Sequence, residues 1–387
     1  MTGRLLVASN GYGEDGIACR IIDALQGLRP GLDITAWPMV GFGQTYLDRG
    51  IPVEGPTNTL PSEGFGTVSL RAFLRDLRAG FIGTYARQLI HARRLRGRYD
   101  LMLGVGDVVP LFAAKAAATP MVYVSCAKSA YYGPATDHDR LDRWLMRQSA
   151  VAVFPRDALT AEGLRAHGID ATDAGNPMMD GLEPAARLTD ANETGIAMLA
   201  GSRRDAALNA SDLLAGAGAL AARHDRPQTL RFLFAAAAAL DAQAIALPGG
   251  WRDVDGASPD GRRMIHDSGA KARIVKGRFA DVLASCKIAA GMAGTANEQA
   301  VGLGLPLVNL PGRGNQGEAF WRMKSRYFGE AALSVPREAD AMAKAMQTLL
   351  GDAARCEAMA RAGRERMGPP GASARIAQDI LSRLDAA

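Results

Sequence analysis

The chain alternates short, wholly apolar runs with longer stretches in which apolar positions recur every three or four residues. Leu5–Ala8, Ile34–Trp37, Leu101–Val105, Met121–Ser125 and Val151–Phe154 are the runs of the first half; Ile196–Ala200, Leu230–Phe234, Ile288–Ala290 and Leu307–Leu310 are those of the second. Strands that are apolar on both faces belong to parallel sheets covered by helices on each side. The pattern therefore predicts an α/β chain of two doubly wound sheets, one after the other. The periodicity breaks across Gly175-Asn-Pro-Met-Met-Asp-Gly-Leu-Glu-Pro-Ala-Ala-Arg187, and a fresh strand opens at Gly195. The boundary is placed at about residue 186, with residues 1–185 and 186–370 as the two domains. Residues 371–387 hold a last helix, from Ala372 to Leu384, that follows Gly-Pro-Pro-Gly and can cross back onto the first domain. A length of 387 residues suits two domains of about 150–200 residues each.

Composition narrows the class. Hydrophobic residues at 48% and charged residues at 22% describe an ordinary packed protein and leave no room for a large disordered part. No run reaches the roughly 18 apolar residues that a spanning helix needs, because the nearest, Phe232 to Leu247, is broken by Asp241 and Gln243. A cytoplasmic protein without a spanning helix is expected. Cys19, Cys126, Cys286 and Cys356 stand far apart, which suggests neither a zinc site nor a disulfide framework.

The net charge is only +5, yet eight arginines fall between Arg71 and Arg98 against the single acid Asp76, interleaved with Leu74, Leu77, Phe81, Leu89 and Ile90. A basic amphipathic helix of this kind can rest on an anionic membrane surface, at about 1 kcal/mol per basic residue. An ordinary helix packing its apolar side on a sheet fits the pattern equally well. No nucleic-acid-binding motif accompanies it, so no nucleic-acid partner is expected. The Gly- and Pro-rich segment Gly41–Gly66 reads as a long loop, and at that length as a functional one.

The chemistry concentrates where strands run into helices. In Ala289-Ala-Gly-Met-Ala-Gly-Thr-Ala-Asn-Glu298, the turn of Gly291, Met292, Ala293, Gly294 and Thr295 brings backbone N–H groups to a helix start, where unpaired donors and the helix dipole favour a phosphate. Glu298, about one turn into that helix, is placed to accept from ribose hydroxyls. In Leu199-Ala-Gly-Ser-Arg-Arg-Asp205, Gly201 and Ser202 offer close donors and Arg203 a charge-assisted contact. Each turn alone is an ordinary feature of an α/β core; together, at the carboxyl edge of one sheet, they suit a nucleoside diphosphate.

The first domain opens with Ser9-Asn-Gly-Tyr-Gly-Glu-Asp15. It is not a dinucleotide fingerprint, since no acid ends a second strand about 20 residues on. Glu14 and Asp15 either favour the helix N-terminus or belong to an acceptor-binding loop with Asn10, Gly11 and Gly13. Asp107, just past an apolar strand, is either a helix cap or a base for an acceptor hydroxyl. Ser125, Lys128 and Tyr131 follow another strand exit. Cys126 has no histidine partner suggested by sequence and is not expected to be a nucleophile.

Taken in order, Ser9–Asp15, Tyr123-Val-Ser125, Gly175-Asn-Pro-Met-Met-Asp180, Leu199-Ala-Gly-Ser-Arg203 and Gly294-Thr-Ala-Asn-Glu298 resemble the lipid-A-disaccharide synthase-related proteins. The resemblance covers most of the chain. It implies a GT-B fold of two Rossmann-like domains facing a cleft, with the nucleotide sugar on the second domain. The second half is similar also to the transferase that adds GlcNAc to a lipid-linked muramyl peptide. That likeness implies Glu298 on the ribose, Gln316 and Asn315 on the donor sugar, and Ser202, Arg203 and the Gly291–Thr295 turn on the diphosphate. The resemblance to the disaccharide synthase, which has an important aspartate just after the corresponding strand, implies Asp107 as the base; Glu14 and Asp15 are the other candidates. The synthase's aromatic acceptor segment is replaced here by Ser125-Cys-Ala-Lys-Ser-Ala-Tyr131, so the acceptor need not be that of lipid A.

The expected activity is inverting transfer of a GlcNAc-type sugar from a UDP-sugar to a lipid or amphiphilic acceptor, on the cytoplasmic side at the inner face of the inner membrane. No cofactor and no metal are expected, because no Asp-x-Asp motif stands beside the phosphate turns and helix ends serve instead. A UDP-GlcNAc 2-epimerase-like enzyme and a non-catalytic nucleotide-sugar-binding protein are the alternatives.

Overall fold

The computed structural model of the protein describes residues 3–57, 81–133, 137–202, 204–254 and 261–386. The chain divides into two compact units, Met1–Asp180 with Gly368–Ala387, and Gly181–Met367.

Unit 1 runs β1 (Arg4–Ser9), α1 (Tyr12–Leu28), β2 (Asp33–Pro38), α2 (Gln44–Leu47), α3 (Phe81–Arg94), β3 (Leu101–Val105), α4 (Val109–Ala117), β4 (Met121–Ser125), α5 (Arg140–Ser149), β5 (Ala150–Pro155) and α6 (Ala158–Ala166). The strands form one parallel sheet in the order β2-β1-β3-β4-β5. Its two faces explain the unbroken apolar runs. Leu5 and Val7 of β1 enter one core with Ile17 and Ile21 of α1, while Leu6 and Ala8 enter the opposite core with Trp37, Met102 and Leu111. Both faces are dry, so neither set of alternate positions is free to be polar.

The predicted loop from Gly41 to Gly66 is partly ordered. It contains α2, and Val53 forms an isolated parallel bridge with Ala36; residues 58–66 lie outside the described residues. Of the predicted basic helix, Arg71, Arg75 and Arg78 also lie outside them. The remainder is α3, which buries Gln88 and Ala92 and exposes Arg87, Leu89, Ile90, Arg93 and Arg94.

Unit 2 runs β6 (Thr194–Leu199), α7 (Ala206–Ala221), β7 (Leu230–Ala236), β8 (Trp251–Asp253), β9 (Arg263–His266), β10 (Lys271–Lys276), α8 (Phe279–Ala284), β11 (Ile288–Gly291), α9 (Thr295–Gly302), β12 (Leu307–Asn309), α10 (Glu318–Phe328), β13 (Ala332–Ser334), α11 (Ala339–Gly351) and α12 (Ala353–Met367). Among the described residues its sheet has the order β13-β12-β11-β6-β7-β10-β9-β8. The sequence pattern misses β8, β9, β10 and β13, and the sheet is not wholly parallel, since β9 pairs antiparallel with both β8 and β10. These strands lie toward the margins and carry exposed charges, such as Lys271 and Lys276 at the ends of β10, so they lack the apolar run of a central strand.

The last helix, α13 (Ala372–Ala386), belongs to unit 1. Its Ile376, Ala377 and Ile380 are fully buried in the core that holds Ile17 and Ile21. Each isoleucine contributes about 1.5–3 kcal/mol by leaving water. The motif Gly175–Asp180 proves to be the dock for this helix. The Asp180 carboxylate accepts from the N–H groups of Gly371 at 2.5 Å and Ser373 at 2.7 Å, and Arg375 donates to the Ala174 carbonyl at 2.8 and 3.0 Å. A carboxylate supplied from elsewhere in the chain thus caps the helix start, a contact of about 0.5–2 kcal/mol. No helix among the described residues is long and apolar enough to cross a membrane.

Candidate functional site

In unit 2, β6, β11 and β12 are neighbours, so the turns that leave them meet at one sheet edge. The polypeptide there is close-packed. A Cβ on Gly291 would lie 2.0 Å from Asn297 Oδ1, and one on Gly314 would lie 2.2 Å from Asp205 Oδ2. Gly201 takes φ +91°, which side chains rarely adopt, and its α-carbon faces the Gln316 carboxamide, 3.3 Å from where a Cβ would stand. α7 and α9 both begin at this edge, and neither has a side-chain cap at its N-terminus. Two sets of helix-start N–H groups are therefore available to an anion at adjacent strand ends.

Gln316 is 9% exposed and turned inward. With its amide oriented to suit its surroundings, Nε2 donates to the Met292 carbonyl and Oε1 accepts from the Gly294 N–H, each at 3.2 Å. It ties down the Gly291–Thr295 turn, a task the sequence did not suggest. Met292 and Ala293 are buried, whereas Ser202 and Thr295 are exposed. Arg203 and the side chain of Asn315 lie outside the described residues. Arg313 is committed elsewhere, to Asp212 through two bonds of 3.0 Å.

Glu298 stands in the first turn of α9 and is 3% exposed. Lys324 of α10, 6% exposed, donates from Nζ to Glu298 Oε1. Removing one partner of such a buried pair strands the other charge, at a cost of about 3–5 kcal/mol. Below them the interior is polar. Asn309 donates to Ser325 at 3.2 Å and Ser334 at 3.3 Å, its carbonyl accepts from Trp321, and its Oδ1 accepts from Asn297.

In unit 1 the exits of β1, β3 and β4 gather the predicted acids. Asp107 Oδ1 accepts from the Asn10 amide at 2.7 Å and the Val109 N–H at 2.9 Å. Burial pushes its carboxyl up, and those two bonds act against the rise. Asp107 thus also holds the first N–H of α4. Asp15 points inward and is 1% exposed; it accepts from Ser9 Oγ at 2.6 Å, and Ser9 is bonded at 2.6 Å to the buried Tyr46 hydroxyl. Burial raises its carboxyl to about 6. This side chain is a strut between β1 and α2, away from solvent.

Glu14 differs from both. It is half-buried, and its carboxylate folds over Gly11 so closely that a Cβ there would lie 2.3 Å from Oε2. Loss of water, then the charges of Asp107 and Asp15, raise it to about 7, against its own N–H and the Arg156 guanidinium. A group so poised can take and release a proton near neutrality. Gly13 beside it is exposed.

The predicted acceptor-side residues Ser125 and Lys128 have internal partners. Ser125, 1% exposed, shares a 2.7 Å hydrogen bond with His138 Nε2, and Lys128 is ion-paired with Asp142. Cys126 is buried, which pushes its thiol well above the usual range. No spacing in the sequence points to His138, Arg156 or Lys324, for Ser125, Cys126 and Glu298, to which they bond, lie 13 to 30 residues away.

Two Rossmann-like units built on mainly parallel sheets, with glycine turns and helix starts at the carboxyl edges, define the GT-B fold. Solved structures of the same build span essentially the whole chain. The UDP-bound MnaA of S. aureus matches with TM-score 0.63 at 14% identity, covering 99% of this chain and 98% of its own. The spinosyn rhamnosyltransferase SpnG, complexed with thymidine diphosphate, matches with TM-score 0.62 at 17% identity over 98% of this chain and 100% of its own. MurG of Acinetobacter baumannii matches with TM-score 0.60 at 15% identity, covering 98% and 99%. At these identities the likeness is one of fold. No protein-family model and no curated protein matches the chain.

Proposed function

We propose that the protein is an inverting glycosyltransferase that moves a GlcNAc-type sugar from a UDP-sugar to a lipid or amphiphilic acceptor. The observation that carries this reading is the pair of uncapped helix starts, α7 and α9, at adjacent strand ends with Glu298 one turn further on. Fold neighbours bound to UDP and to thymidine diphosphate support the nucleotide part of it. In the proposed reaction Glu14 takes the proton of the acceptor hydroxyl as its oxygen attacks the anomeric carbon. The bond from that carbon to the diphosphate oxygen breaks, and UDP leaves with the electron pair. Arg203 and the amides of the Gly291–Thr295 turn stabilise the departing charge. The base is assigned to Glu14 because its carboxyl is raised to about 7, near the operating range of a proton acceptor, while Asp107 also holds Asn10 and the start of α4.

The test is incubation of the purified protein with labelled UDP-sugars and a total lipid extract, with products read by mass. Arg203→Ala and Glu298→Ala should each weaken UDP-sugar binding at least tenfold, about 1.4 kcal/mol or more for loss of a charge-assisted contact. Transfer that survives both changes would remove the donor assignment. Fold neighbours that are UDP-GlcNAc 2-epimerases favour a second reading. Conversion of UDP-GlcNAc with no acceptor present would establish it over transfer.

An anionic membrane surface is the proposed setting. α3 supports it with Leu89 and Ile90, 36% and 48% exposed, flanked by the exposed Arg87, Arg93, Arg94 and Arg96. Reversing Arg93, Arg94 and Arg96 to Glu should lower binding to anionic vesicles by more than tenfold, at about 1 kcal/mol per basic residue. Unchanged co-sedimentation would dismiss the membrane face.

A further inference from the structure

Lys324 lies 26 residues beyond Glu298, on a different helix, and no part of the strand–turn–helix motif implies it. It is 6% exposed, and its Nζ sits 5.5 Å from the ring centre of Phe320 and 5.3 Å from that of Tyr327. Burying an ammonium is costly unless a counter-charge and well-placed neighbours offset it. Here that counter-charge is the carboxylate at the first turn of α9, beside the turn that would hold a diphosphate. The pairing fixes the direction of that carboxylate and balances its charge, while each oxygen can accept more than one hydrogen bond.

We propose that Lys324 is a positioning residue of the nucleotide site: it aims Glu298 at the vicinal hydroxyls of a ribose, so the site selects ribonucleoside over 2′-deoxyribonucleoside diphosphates. The proposal rests on the reading of this edge as a nucleotide site. A diol meets the carboxylate with two donors, and a 2′-deoxy sugar leaves one acceptor position of a buried charged group unmet. Loss of a hydrogen bond to a charged group predicts a preference of about 10–100-fold.

Calorimetric titration of the full chain with UDP and with 2′-deoxy-UDP tests this. The wild type should bind UDP about 10–100-fold tighter. Lys324→Met keeps the bulk of the side chain and removes its charge; the preference should collapse toward one, with UDP losing more affinity than 2′-deoxy-UDP. Because Lys324→Met alone could leave the Glu298 charge stranded and the fold weakened, the double change Glu298→Gln with Lys324→Met is the companion variant, with both charges gone and the same flat preference expected. Retention of the wild-type preference by Lys324→Met overturns the proposal. So does an equal loss of both ligands in a double variant that melts like the wild type, because Lys324 would then shape the site generally. If the wild type binds neither nucleotide, the nucleotide reading itself falls.

Discussion

Replacing Glu14 with Gln is expected to lower the turnover of sugar transfer by about 10²–10⁴-fold while leaving UDP affinity unchanged. The carboxylate is the only feature lost, for glutamine fits the same space over Gly11. Wild-type turnover should rise with pH through about 7, the value to which loss of water and the neighbouring acids raise Glu14. Below that pH the carboxyl keeps its proton and cannot accept another; above it, the carboxylate can. The Glu14→Gln protein should lose this limb. Asp107→Asn supplies the contrast, because an asparagine oxygen can still accept from Val109 N–H, so turnover should fall far less. A Glu14→Gln enzyme with wild-type turnover and an intact rising limb would move the base elsewhere.

Gly291→Ala should abolish nucleotide binding and lower the melting temperature together. The new Cβ would lie 2.0 Å from Asn297 Oδ1, and Asn297 is fully buried with its amide bonded to Asn309. Asn309 is bonded in turn to Ser325 and Ser334, so the obstacle cannot swing away without opening that network. Overpacking of this kind costs about 1–3 kcal/mol. The displacement falls on the turn before α9, where the diphosphate would sit, so UDP affinity should drop beyond detection by calorimetry. Gly351→Ala is the control within the same unit: a Cβ there meets nothing within 4 Å, and melting and binding should stay as they are. Wild-type UDP affinity in Gly291→Ala would show that this turn does not hold the ligand.

The central strands could be read from the sequence because both of their faces are buried, which forces runs such as Leu5–Ala8 and Ile196–Leu199. β10 alternates exposed Lys271 with buried Ala272, and β8 and β13 have three residues each, so neither pattern nor length marked them. The tight turns after β6 and β11 were legible because only glycine satisfies the backbone at Gly201 and the close approach at Gly291. The partners of the acids were not. Asp107 follows a strand, as a base would, and its bond with Asn10 reaches across 97 residues. Glu298 could be placed on its helix, but the lysine that holds it sits on another. The resemblance assigns Gln316 to a donor sugar, and in the fold its amide is turned onto Met292 and Gly294. Side-chain partners across such separations depend on packing, which spacing along the chain does not encode.

The return of α13 to unit 1 bears on how the chain is made. A nascent chain that has emerged as far as Met367 carries β1 to β5 of unit 1 and all of unit 2. It still lacks Ile376, Ala377 and Ile380, which fill the core over Ile17 and Ile21. Domains generally fold as units while they are synthesised. Here the later domain can close first, while the earlier one still lacks the side chains that complete its core and the helix that Asp180 caps. The domain begun first is the last one finished.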